Sequence, residues 1–150
     1  MERAMPALPE VLNSPEKKNL VVDDCCVVID QEVADKGGLS GIAIKAGFAA
    51  VKGVKPGFVR QVVVDLLPEF ATALDPIYQE AKSKNVAVSP YFNQNSGRVA
   101  DVLLAITDAK AARSKSGVVK GAYDRLRGTA KKNVEAAVPR LGKVIEKHAG

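Results

Sequence analysis

The sequence predicts an all-α fold, a six-helix bundle built from two pseudo-symmetric three-helix repeats. Three observations predict it. Apolar residues return every three or four positions along most of the chain, the period of a helix face. Start and stop signals bracket those stretches, such as Ser14-Pro15-Glu16 before one and Gly37-Gly38 after it. Finally, the stretch Ser40 to Val59, SGIAIKAGFAAVKGVKPGFV, has an echo at Ser116 to Val134, SGVVKGAYDRLRGTAKKNV.

Residues 1–13 read as a loose lead-in, with one turn of helix over Pro9 to Asn13. Ser14-Pro15-Glu16 opens the first main helix: the serine caps, the proline fits the first position, and the glutamate suits the positive end of the dipole. The helix runs to Lys36 and stops at Gly37-Gly38. Val22, Cys25, Ile29 and Val33 make one stripe, with Leu20 and Val27 nearly opposite, so neighbours are expected on two faces. Ser40 caps the second helix, which ends near Gly53 or Val54. Ala43, Ala46, Gly47 and Ala50 keep it thin. A glycine costs about 1 kcal/mol against alanine inside a helix, so Gly47 points to close approach by another helix.

Pro56 opens the third helix, on which Phe58, Val59, Val62, Val63, Leu66, Phe70, Leu74 and Ile77 face the core. Pro68 is expected to kink it and Asp75-Pro76 to break it again. It frays around Ser83 to Asn85. Val86 to Asn95 reads as the connector, fastened to the core by Tyr91 and Phe92. Ser96 caps a fourth helix through about Arg113, with Val99, Leu103, Ile106 and Ala109 inward. Ser116 caps a short fifth helix, with Val119, Ala122, Tyr123 and Leu126 inward. Gly128-Thr129 starts the sixth, where Val134, Ala137, Val138, Leu141, Val144 and Ile145 form a stripe that Pro139 interrupts.

The echo is ordered. Lys45 and Lys120, Phe48 and Tyr123, Gly53 and Gly128, and Val59 and Val134 follow the two Ser-Gly openings. Upstream, Val22, Asp24 and Ile29 match Val99, Asp101 and Ile106, and the spacing narrows from 77 residues to 75, then 71 between Pro68 and Pro139. A helical unit written twice buries its open face on its copy. Twofold symmetry would set matched residues together at the axis. On this reading one domain, residues 1–150, holds repeat one over about 14–84, a connector over 85–95 and repeat two over 96–150. Asp24 and Asp101 are carboxylates on apolar helices and should be paired or hydrogen-bonded. The repeated Lys45 and Lys120, or a neighbouring helix end, are the expected partners.

A chain of 150 residues buries a real core without staples. Its composition is that of a soluble globular protein. No apolar run approaches the roughly 20 residues of a membrane span, and the N-terminus lacks the apolar centre of a signal peptide. A cytoplasmic protein is expected. Cys25 and Cys26 are neighbours whose side chains diverge by about 100° on a helix, so they read as small buried hydrophobes rather than a disulfide. With one histidine, they cannot complete a Cys/His zinc site.

Charge is uneven. Residues 1–75 carry 8 Lys/Arg and 11 Asp/Glu, against 14 and 6 in residues 76–150. Arg113, Lys115, Lys120, Arg125, Arg127, Lys131 and Lys132 crowd into twenty residues, a candidate surface for an anionic partner. Lys131 and Lys132 would sit in the first turn of the sixth helix, where free N–H groups attract phosphate. An ordinary solvated face explains the same charges. No aromatic interleaving suggests base stacking, and Pro56 spoils a helix-turn-helix match over the second and third helices. The second helix, with Ile42, Phe48, Val51 and the lysines Lys45 and Lys52, and Lys55 just beyond, fits a membrane surface. Its small residues fit burial better.

Catalysis is thinly supplied. His148 lies two residues from an end expected to fray, so a histidine base is not expected. No phosphate loop, dinucleotide fingerprint, nucleophile elbow or zinc-protease motif occurs. No catalytic residue, cofactor or metal site is assigned.

The segment from GLSG to VKPGFV, and the paired Lys120, Tyr123, LRG and AKKNV, resemble those of an uncharacterised bacterial family of short all-helical proteins, a domain of unknown function. The resemblance spans nearly the whole chain. It implies a helical fold and brings no activity, ligand or partner. The leading expectation is a non-enzymatic interaction or scaffold protein, with a protein partner or self-association. The alternatives are a nucleic-acid or polyanion binder through the basic second half, and a small-ligand binder or enzyme at the seam between the repeats. A pocket at that seam would favour the last.

Overall fold

The computed structural model describes residues 7–150, the side chains of Leu39 and Ser40 excepted. Seven helices follow in order: α1 (Leu8–Leu12), α2 (Lys18–Asp35), α3 (Gly38–Lys52), α4 (Phe58–Ser83), α5 (Val88–Gln94), α6 (Ser96–Arg113) and α7 (Gly117–Ala149). No strand occurs among the described residues. Residues 1–6 of the expected lead-in, and any capping by the Ser40 side chain, lie outside them.

Several start and stop signals act where expected. The Ser116 hydroxyl accepts from the Val119 N–H at 3.2 Å and caps α7. Gly37-Gly38 separates α2 from α3, with Gly38 at φ +68°. At the other end of α3, Pro56 does not take the first helical turn as expected: it precedes Gly57, whose φ of +73°, a conformation that costs a side-chain-bearing residue about 1–2 kcal/mol, makes the turn into α4 at Phe58. Ser14 departs from expectation. The helix begins one turn later, and Lys17 and Lys18 N–H groups bond the Ser14 carbonyl instead. The expected connector contains α5, held by Tyr91 and the fully buried Phe92.

The prolines do not divide the helices. α4 passes through Pro68 and Pro76, and α7 through Pro139. Each proline costs about 3 kcal/mol inside a helix. Burying one large apolar side chain returns about 1.5–3 kcal/mol, and α4 buries Leu66, Leu67, Leu74, Ile77 and Tyr78. Pro76 and Pro139 also stand exposed, so their rings displace no core side chain. Gly128 likewise fails to end a helix. The expected fifth and sixth helices are one, of 33 residues, about 50 Å long. A lone glycine costs too little to stop a helix, whereas Pro56 and a left-handed Gly57 together do. The two halves therefore divide their helices differently, α2–α3–α4 against α6–α7, and the described residues hold seven helices where six main ones are expected.

The two longest helices, α4 and α7, each pack against α1, α2, α3, α5 and α6, and barely against one another. Toward one end the space between them is filled. Leu8, Val21, Val22, Ile77, Tyr78, Phe92, Val99 and Ile145 form a core there, each no more than 2 % exposed. Polar groups lock this end. The Tyr78 hydroxyl donates to the Ala149 carbonyl at 2.6 Å, and Asp75 accepts the Leu8 N–H at 2.8 Å. Glu80 accepts from Tyr91 at 2.6 Å and from both Arg98 guanidinium nitrogens at 2.7 and 2.6 Å. The end of α7 is thus tied rather than frayed. α2 is packed on one side only: Leu20 and Val27, on its second stripe, are 55 % and 51 % exposed.

Candidate functional site

Toward the other end, α4 and α7 stand apart around an apolar cavity of about 430 Å³. α4 contributes Val63, Leu67 and Phe70, and α7 contributes Leu126, Val134, Ala137 and Leu141. α2 adds Cys25, Ile29 and Val33, α6 adds Leu103 and Leu104, and α3 adds Ile44. Both halves of the chain line it. The wall is apolar because the inward stripes of five helices converge on one space, and those stripes carry Val, Ala and Leu at helical spacing. Alanines at 130 and 137 leave room that larger side chains would fill.

The polar lining residues are Glu32, Lys36, Thr107, Tyr123 and Asn133. They belong largely to two self-contained networks. Glu32 binds Lys36 at 3.3 Å and Arg140 at 2.6 Å, and Arg140 also reaches Asp35 at 2.5 Å. Two carboxylates meet two cations, and the charges cancel. In the second network the Tyr123 hydroxyl donates to Asp108. Arg127 grips the same carboxylate with Nε at 2.8 Å and Nη2 at 3.1 Å, and Thr107 Oγ1 lies 2.8 Å from the Tyr123 hydroxyl. Arg127, and then Tyr123, hold the Asp108 carboxyl below the usual range. Burial, and then the bond to Asp108, push the Tyr123 phenol up. Burial pushes the Cys25 thiol up to about 12, so at neutral pH it is a thiol and a poor nucleophile. Among the described residues, no three His, Cys, Asp or Glu side chains gather to hold a metal ion. The chemistry this arrangement offers is burial of apolar surface beside a few satisfied polar groups.

Apart from Arg127, which joins the second network, the residues singled out from sequence lie elsewhere. Asp24 meets His148 Nε2 at 2.7 Å and Lys147 at 3.0 Å. The bond from His148 holds its carboxyl below the usual range, ahead of the effect of Lys147. Asp101 pairs with Lys131 at 3.0 Å on the surface. Neither meets Lys45 or Lys120, which are exposed. Nor does either carboxylate cap a neighbouring helix: Asp24 bonds the side chains of Lys147 and His148 near the end of α7, not backbone N–H groups. Within the basic group, Arg127 and Lys131 are engaged by Asp108 and Asp101 of α6. Arg113, Lys115, Lys120, Arg125 and Lys132 are exposed. Because α7 is continuous, Lys131 and Lys132 sit in mid-helix, where the backbone N–H groups are already bonded, and the helix-start anion site does not form.

α3 also departs from its expectation as a buried helix. Among its described side chains Gly41, Ile44 and Gly47 are the buried ones, whereas Ile42 is 67 % exposed and Ala43, Ala46, Ala49 and Ala50 face outward. The close approach at Gly47 is found: a Cβ there would lie 3.0 Å from Leu126 Cδ1.

These features define an all-helical protein with an apolar cavity between its two longest helices. A family profile matches residues 8–149, and the chain belongs to that family, a family of unknown function (DUF6918). No curated protein and no solved structure matches the chain. No helix among the described residues is long and apolar enough to cross a membrane.

Proposed function

We propose that the protein binds a small, uncharged and largely apolar molecule in the cavity between α4 and α7, without transforming it. The observation that carries this reading is the cavity itself. Its volume of about 430 Å³ falls in the range of ligand pockets, roughly 300–1,000 Å³. The absence of net charge in the ligand follows from the rim: Glu32, Asp35, Lys36 and Arg140 neutralise one another, and so do Asp108 and Arg127.

The test is titration with N-phenyl-1-naphthylamine, an uncharged dye that brightens in apolar surroundings. One molecule is expected to bind per chain. Ala137→Trp, which fills the cavity, should abolish the signal while circular dichroism keeps its helical form. A wild-type chain that leaves the dye dark would end the proposal.

The same seam bears on the duplicated architecture. Gly47 and Ala122 stand 75 residues apart, the spacing of the echo, and a Cβ on Gly47 would touch the Ala122 Cβ at 4.0 Å. Contact between matched residues supports a pseudo-twofold axis there, while the unlike partners of Asp24 and Asp101 weigh against it. A protein partner is the second reading, supported by exposed Leu20 and Val27 on the outer face of α2. A polyanion partner keeps only the exposed cations that α6 does not engage.

A further inference from the structure

α3 has an outward face that water does not suit. Ile42, Ala43, Ala46, Ala49 and Ala50 are exposed, and Val54 follows beyond the helix end. In a surface helix that face is ordinarily polar. Its only charges are Lys45 and Lys52, which at 100° per residue fall together on one flank. No Asp or Glu occurs between Asp35 and Asp65, while the same span holds Lys36, Lys45, Lys52, Lys55 and Arg60. Lys36 is paired with Glu32 and Arg60 with Asp23. Lys45, Lys52 and Lys55 have no carboxylate partner among the described residues; Lys52 and Lys55 rest over the rings of Phe48 and Phe58 at 5.2 and 5.9 Å. Beneath this helix lies the cavity, which Ile44 helps to close.

We infer that the outer face of α3 docks on the surface of a bilayer rich in anionic phospholipid. An apolar stripe flanked by lysines is the pattern of a helix lying in the headgroup plane, and each lysine near an anionic leaflet adds attraction. The charge argues against a second copy as the occupant, since a twofold contact would set Lys45, Lys52 and Lys55 against their own counterparts with no acid in reach. The docking itself stands on the face and its charges. Its purpose rests on the cavity reading: an apolar ligand resides in membranes rather than in water, and a cavity whose covering helix lies on the bilayer can exchange it there.

The experiment is co-sedimentation of the full chain with vesicles of phosphatidylcholine alone, or mixed equally with phosphatidylglycerol. Binding is expected to the mixed vesicles only, and to weaken with added salt. Neutralising the three lysines together (Lys45→Gln, Lys52→Gln and Lys55→Gln) should lower affinity on the order of a hundredfold, from about fivefold each. Ile42→Asp, at an exposed position that the fold does not use, should also release the protein. Dye uptake by these variants in vesicle-free solution should match the wild type, which separates the docking from the cavity reading. Equal binding to neutral vesicles, indifference to the lysine variants, or no sedimentation at all would overturn the proposal. So would binding to polyglutamate that needs the lysines but not Ile42, because that outcome marks an acidic protein as the partner.

Discussion

The two ends of the space between α4 and α7 are built to different rules. At one, Tyr78 and Phe92 sit among Leu, Ile and Val with no room left, and the helices are cross-tied by Glu80, Arg98 and the Tyr78 hydroxyl. At the other, Ala130 and Ala137 of α7, Ile44 of α3, and Val63 and Phe70 of α4 line an open apolar space. The same two helices run through both. The difference teaches that close packing and open space occupy separate lengths of one scaffold: the filled end holds the fold, and the hollow end is free for the binding proposed above.

Truncation breaks the comparison most sharply. Phe92→Ala, in the filled end, should cost about 3–5 kcal/mol in urea unfolding, whereas Phe70→Ala, on the cavity wall, should cost less than about half of that. Equal losses would mean the cavity wall carries the fold too. Enlargement should separate the ends by sign. Ala81 is fully buried in the filled end, so Ala81→Leu should overpack it by about 1–3 kcal/mol. Ala137→Leu should instead fill space and raise stability by about 0.5–2 kcal/mol.

Acid gives the smallest and most local effect. Arg98, and then Tyr91, hold the Glu80 carboxyl down at about 2, and the unfolded chain restores the ordinary 4.5. Its contribution is present above about 4.5 and is lost as pH falls toward about 2. Asp24, held low by His148, acts in the same direction. The urea midpoint should therefore decline through that window, and Glu80→Gln should shrink the decline.

The helices were legible because apolar spacing, Gly37-Gly38, Ser116 and Pro56-Gly57 are local signals that tertiary packing did not contradict. The all-helical character needed nothing more. Pro68, Pro139 and Gly128 misled because a breaker's cost is local, while the burial that offsets it comes from distant helices. The tie of His148 to Asp24 spans 124 residues and left no mark in spacing. A seam pocket figured among the sequence alternatives, yet its location was not readable. An apolar stripe looks the same whether the facing stripe meets it or stands off, and Ile29 and Val33 gave no sign that they face a gap. The exposure of Ile42 was hidden for the same reason: apolar residues all round a helix announce burial, and only the placement of its neighbours shows which side is bare.

Among the described side chains of α3, Ile44 is the one large residue that is buried, and Gly47 brings the backbone close to Leu126, between turns set by Gly38 and Gly57. Such a cover is exchangeable. On the proposed reading, replacing Ile44 by a smaller or larger residue would reshape the space beneath α3 while Tyr78 and Phe92 keep their places, so the hollow end can change its shape without endangering the architecture that carries it.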